Sequence, residues 1–322
     1  MATVPHTQTR HYSCRAGATP FAAALAFLLI GCTTVRSEPF HAFADANRQL
    51  RDGTDESIVA VHGWAQERFV TEVTDGGEDA AQALLLEPNP DDPFAWTAAV
   101  PTLPLQILQF RTGFARLNSA LIGYSDALAQ LASNEIASDD QFTNLAKNLN
   151  TTARSAGAAL QAKDGAAKEV AIISVAAAQA FQEFIVHHRR SALQLALQEN
   201  QVNLREVSAL AREATLILAQ ALRNEYDLRS GPLAQQLAPA AKPNKSARRK
   251  TVKAFLKLNE EYVARLELLG TLDRAYATLP DAHAQLARAL ENTASPLGQV
   301  TALSDHAQRL NRLYEELSKP GP

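Results

Sequence analysis

The sequence predicts an all-α fold, an elongated, coiled-coil-like bundle in which one long spine helix, at about 166–229, is shared by two bundles. Three observations lead there. Apolar residues recur in three- and four-residue steps over long stretches, as on one face of a helix. Strand signals are poor, since I-V-A-V at 58–61 and V-A-I-I-S-V at 170–175 both sit inside longer helical periodicity. Prolines, which remove a helix hydrogen bond and clash with the preceding turn, are confined to a few places. Five fall between Pro88 and Pro104, three between Pro232 and Pro243, and none from Leu105 to Gly231.

Proline placement defines three helical regions. The first runs from about Phe40 to Asp75, with Phe43, Leu50, Ile58, Val61, Ala65 and Phe69 as its apolar face and with Gly53 and Gly63 weakening it. Gly76-Gly77 ends it, a short helix follows at about Ala80 to Leu86, and E-P-N-P-D-D-P-F reads as a turn-rich linker up to residue 104. In the proline-free window, Leu105 to Leu131 repeats Ile107, Phe110, Phe114, Leu117, Leu121, Tyr124, Leu128 and Leu131 over nearly four heptads. Ser138-Asp139 offers an N-cap for a helix from about Asp140 to Gln161, closed by Lys163-Asp164-Gly165. The spine begins near Ala166 and meets no breaker before Ser230-Gly231-Pro232, a rod of roughly 95 Å at 1.5 Å per residue.

A helix that long has to bury a seam along most of its length. The two helices before it are each less than half as long, so its second half, with Leu204, Val207, Leu210, Ala214, Ile217, Ala221 and Leu228, needs other partners. The third region, about Ser246 to Ser318, supplies one stripe of Val252, Phe255, Tyr262, Leu266, Leu269 and Tyr276 and another of Leu297, Val300, Leu310, Leu313 and Leu317. Pro280 should kink or end the first of these helices, and Ser295-Pro296 should start the second. Residues 105–195 form one expected lobe, and residues 40–75, 196–229 and 250–318 the other. A linker at 232–245 joins the spine to the third region.

The N-terminus has a different character. Arg10 and Arg15 precede the apolar run Phe21 to Ile30, no acidic residue intervenes, and Gly31 closes the run. That is a secretory signal, too short for the roughly 20 residues of a membrane-spanning helix. Leu29-Ile30-Gly31-Cys32 resembles the lipobox of bacterial lipoproteins. The resemblance implies that residues 1–31 are removed, that Cys32 carries diacylglycerol on sulfur and an acyl chain on its amine, and that residues 32–39 are a lipidated tether. Thr33, where an Asp would retain such a protein at the inner membrane, implies the periplasmic face of the outer membrane. Cys14 falls in the removed segment, so the mature chain has no disulfide.

Removing residues 1–31, with two of the 31 basic residues and none of the 34 acidic ones, leaves a net charge of −5, which disfavours nucleic acid as a partner. Against that background the run Lys242 to Lys253 stands out, with Lys245, Arg248, Arg249, Lys250 and Lys253 as candidate contacts to an anionic surface. The bland alternative is a solvated hinge. Val170 to Val186 is apolar almost all round, which fits a buried core helix or, as a second class of function, a membrane-active segment. Glu183 and His187 share a helix face, yet adjacent His187 and His188 point roughly 100° apart, so no metal site is expected; His62, His283 and His306 stand alone. No nucleophile, phosphate-loop or dinucleotide signature is present, and no cofactor is implied. The expected protein is a non-enzymatic envelope component, held to the membrane by its N-terminal lipid and binding a protein partner through helix surfaces; an enzyme with a site between the bundles is the third reading, after the membrane-active one.

Overall fold

A computed structural model describes residues 35–75, 86–89, 92–98, 103–133, 189–238, 244–291 and 297–319. They form an all-α bundle of five helices: α1 (Glu38–Asp75), α2 (Leu103–Ser133), α3 (Arg189–Leu237), α4 (Lys245–Glu291) and α5 (Gly298–Ser318). The described residues from Arg36 on belong to one compact unit. Chain directions follow from the side-chain bonds. His41, Arg48 and Asp55 of α1 meet Ser133, Asp126 and Arg111 of α2, so those helices are antiparallel. Gln201, Arg212 and Tyr226 of α3 meet Pro280, Asp273 and Asn259 of α4, a second antiparallel pair. On α5, Gln299 lies by Gln285 of α4 and Arg309 by Glu267, again antiparallel.

The core joins Phe40, Phe43, Leu50 and Ile58 of α1 to Phe114, Leu117, Leu121 and Leu128 of α2, Leu204, Leu218 and Leu222 of α3, Leu268, Leu272 and Leu279 of α4, and Leu303 and Leu310 of α5. Each such side chain contributes roughly 1.5–3 kcal/mol by leaving water. Gly53, expected to weaken α1, has a packing reason. A Cβ there would lie 2.6 Å from Leu310 Cβ, so only glycine lets α5 approach this closely.

Several expectations change. The linker after α1 is partly a two-stranded antiparallel hairpin, β1 (Leu86–Asn89) with β2 (Asp92–Ala98), in which Leu86 pairs with Ala98 and Pro88 with Trp96. Its prolines are compatible with that because both strands are edges, where a missing N–H need not break a ladder. Of the short helix expected at 80–86, Leu86 is strand and 80–85 lie outside the described residues. The spine does not stop at Ser230-Gly231-Pro232 but runs to Leu237, so the first six residues of the expected linker at 232–245 are helical, while 239–243 lie outside the described residues; so do the spine's start at 166 and the helix at 140–161. The helix at 103–133, assigned to a separate lobe, packs along α1 in the same bundle as α3 to α5; residues 134–188, which were to complete that lobe, are outside the described residues.

Pro280 neither ends nor starts a helix, because α4 continues to Glu291. A proline at 280 leaves the carbonyl of Tyr276 without its helical donor. Ser208 Oγ on α3 donates to that carbonyl at 2.6 Å, so the neighbouring helix repairs the gap. Ser208→Ala is expected to lower stability by about 1–3 kcal/mol, the cost of a buried unpaired carbonyl. Urea unfolding should show this as a lower midpoint, and an unchanged midpoint would mean that water fills the role. The start of α5 is handled similarly. Ser295 and Pro296 lie outside the described residues, Leu297 offers no side-chain cap, and Gln285 Oε1 on α4 accepts the N–H groups of Gln299 (2.7 Å) and Val300 (3.2 Å) instead.

Candidate functional site

Cys32 lies outside the described residues. The bundle begins at Glu38, six positions later, at the end where His41 meets Ser133. Thr54 and Trp64 of α1 meet Tyr276 and Glu261 of α4, so α1 is antiparallel to α4 and runs in the same direction as α3, with Trp64 beside Arg229. The α3–α4 connection is therefore at the opposite end, roughly 60 Å away by helix rise.

That far end carries the basic run. Asn244 Oδ1 accepts the N–H of Ala247 at 2.8 Å and its carbonyl that of Arg248, so Asn244 is the N-cap of α4. From Lys245 on, the run is thus helix rather than hinge. Lys245, Arg248, Arg249, Lys250 and Lys253 are all exposed, and none forms an ion pair among the described residues. The first turn holds Lys245 and Arg248 and no acid, an arrangement that opposes the helix dipole. Lys257, which sequence reasoning left out, continues the row Arg249, Lys253, Lys257 at four-residue steps and reaches Glu261 only at 3.9 Å. Beside this row lie Val252, 40% exposed, and Leu256, 55% exposed. Val252 was expected in a core stripe. It is out of the core because no described residue in 226–238 or 244–257 is buried.

Elsewhere the polar groups hold helices together. Tyr276 of α4 donates to Asn118 Oδ1 of α2 (2.9 Å) and lies 3.1 Å from Thr54 Oγ1 of α1, and burial pushes its hydroxyl pKa up to about 12. His283, expected to stand alone, is fully buried between two partners. Gln201 uses its amide nitrogen on the Pro280 carbonyl (3.0 Å), so its oxygen faces His283 Nδ1 (2.7 Å), which must carry the proton. Nε2 then accepts from the Tyr124 hydroxyl at 2.7 Å. Burial lowers the His283 pKa to about 3 and raises that of Tyr124, so both stay neutral. These groups are donors and acceptors with fixed partners.

A cleft of about 220 Å³ opens between α1 and α2, with Thr54, Phe114 and Asn118 among its lining residues. Its charges pair with each other. Arg111 holds both oxygens of Asp55 (2.6 and 2.9 Å), a bond that raises the guanidinium pKa, and Arg51 Nε meets Asp52 at 2.9 Å. Asp55 is thus engaged at both oxygens and Asp52 at one. Among the described residues no three His, Cys, Asp or Glu side chains converge as a metal site would need, and no helix is long and apolar enough to cross a membrane. Glu183, His187, His188 and the segment 170–186 lie outside the described residues.

No protein-family model matches the chain, and neither the curated proteins nor the solved structures contain a match to it. Its functional reading therefore rests on its own residues.

Proposed function

We propose that the mature chain is a lipid-anchored, periplasm-facing helical bundle that serves in the cell envelope as a non-enzymatic scaffold or binding protein. The observation that carries this reading is the N-terminal order of a basic segment, the apolar run Phe21 to Ile30, Leu29-Ile30-Gly31-Cys32, and a helical bundle starting only six residues on, at Glu38. A tether of that length spans at most roughly 20 Å, so α1 starts close to the membrane. One acyl chain holds a protein only marginally, whereas the three implied by the lipobox resemblance hold it firmly. Thr33 favours the outer membrane as the site of attachment.

The test is the state of Cys32. Mass spectrometry of the protein extracted from membranes should show residues 1–31 removed and Cys32 carrying diacylglycerol and an amide-linked acyl chain. Cys32→Ser should abolish both the modification and processing before residue 32. A serine variant cleaved at the same bond and still requiring detergent for extraction would rule the anchor out.

A further inference from the structure

Past the level of Trp64 the bundle thins. Arg111, eight residues into α2, meets Asp55, and Glu315, three residues from the end of α5, lies within electrostatic range of Glu56, so both helices finish near there. The ends of α3 and α4 continue beyond, with the last turns of α1. No described residue in 226–238 or 244–257 is buried, so the hairpin of α3 and α4 is an arm with its surfaces open.

Beyond Asp227 the charge on this arm is of one sign. From Leu228 to Asn259 the chain has no acidic residue and eight basic ones, in a protein of net charge −3. Arg249, Lys253 and Lys257 step along α4 about 6 Å apart, with Lys250 beside them. Val252 and Leu256, each one residue before a member of that row, lie about a quarter-turn away around the helix, and both are exposed. Thr251, bonded to Gln236 of α3, marks the side of α4 that faces its partner helix.

We infer that the arm docks on an anionic phospholipid surface, with the cation row on headgroup phosphates and Val252 and Leu256 entering the headgroup–acyl boundary. Cations beside bulky aliphatic groups on one exposed helix face fit that boundary, since lysine stems and aliphatic side chains gain from its apolar layer while the charges stay at the phosphates. A hydrated anionic glycan would satisfy the charges but would leave the aliphatic groups in water. The inference rests on the proposed anchoring for orientation alone. The lipid-bearing end and the arm are at opposite ends of α1 and α3, so an upright molecule presents the arm to a second surface roughly 60 Å from the first.

Two measurements separate the parts. The full chain with Cys32→Ser should sediment with phosphatidylglycerol vesicles more strongly than with phosphatidylcholine vesicles, and salt should weaken this. Adding Arg249→Glu, Lys253→Glu and Lys257→Glu should lower affinity at least a hundredfold, from about fivefold for each charge near the surface. Val252→Ser with Leu256→Ser should weaken binding while the charge is unchanged. All five positions are exposed and outside the core, and an unchanged circular dichroism spectrum would confirm that each variant folds. Equal binding to both lipids, or binding indifferent to the triple change, overturns the inference. So does arm-dependent capture by purified peptidoglycan with none by phosphatidylglycerol vesicles. Separately, the lipidated protein should remain on phosphatidylcholine vesicles and bridge them to phosphatidylglycerol vesicles. Its loss from the first population would overturn the anchor and leave the sedimentation result standing.

Discussion

Glu225→Gln is expected to destabilise the protein by about 3–5 kcal/mol, the cost of breaking a buried ion pair from one side. Glu225 is 1% exposed on α3 and accepts from Arg68 Nε of α1 at 2.7 and 2.8 Å and from Arg229 Nε at 3.0 Å. Around it Arg229 lies over the Trp64 ring at 4.8 Å and Arg265 lies over the same ring at 5.0 Å. Trp64 Nε1 donates to Glu261 at 3.1 Å, and Arg265 is 3.6 Å from the same carboxylate. Three guanidiniums thus share one region with Glu225, Glu261 and Glu67, and burial already lowers the Arg265 pKa. Removing the innermost carboxylate charge leaves Arg68 and Arg229, each about 20% exposed, facing each other without their common anion. Glutamine keeps the volume, so the change reads the charge and not a cavity. Glu267→Gln is the control, since the Arg309–Glu267 pair is 51% and 42% exposed and such pairs contribute only about 0–1 kcal/mol. Urea unfolding should show a much lower midpoint for Glu225→Gln and almost none of that fall for Glu267→Gln. Equal effects would mean that water reaches the cluster.

That cluster also shows where sequence reasoning stopped. The helices themselves were legible, because proline spacing and apolar steps are local signals. The expected 40–75 and 105–131 match α1 and α2 within about two residues at each end, and Ile107, Phe114, Leu117, Leu121, Tyr124 and Leu128 are all buried. On α3 the expected face Val207, Ala214, Ala221 and Leu228 follows a strict seven-residue repeat. An α-helix of 3.6 residues per turn drifts about 20° per heptad against such a repeat. The face that is buried drifts with it, through Ala211, Ala214, Leu218, Leu222 and Glu225, while Leu228 is 55% exposed. Following the drift would have pointed to Glu225 as a buried acid. Pro280 misled because its compensation, Ser208, is 72 residues away in sequence. The basic run was legible by charge. Its extension to Lys257, and the exposure of Val252 and Leu256 beside it, depend on where α2 and α5 end, which no local pattern records.

Acidification should weaken the bundle through His283. Its pKa is about 3 in the fold, lowered by burial, against an ordinary value of 6.5. Below pH 6.5 the unfolded chain takes up a proton that the native state refuses until about pH 3. Stability from the neutral imidazole is therefore complete above pH 6.5 and is lost progressively as pH falls. At 1.36 kcal/mol per unit, the loss between pH 7 and pH 5 is about 2 kcal/mol. His62 and His306, also lowered by burial, add in the same direction, while the raised carboxyls of Glu56 and Asp126 act against it. The His283 share is isolated by difference. His283→Gln can keep one of the two bonds but cannot take up a proton, so it should be less stable than wild type at pH 7 and closer to it at pH 5. The gap should shrink by about 2 kcal/mol; a gap independent of pH would show that His283 is not the linked group. Because His283 binds Tyr124 of α2 and Gln201 of α3 from its place on α4, its protonation places a charge in a buried contact among three helices at the end where the chain enters the bundle. Loosening on acidification should therefore begin there, with amides around Tyr124, Gln201 and His283 losing hydrogen-exchange protection before those around Glu225, whose partners are guanidiniums that stay charged throughout this pH range.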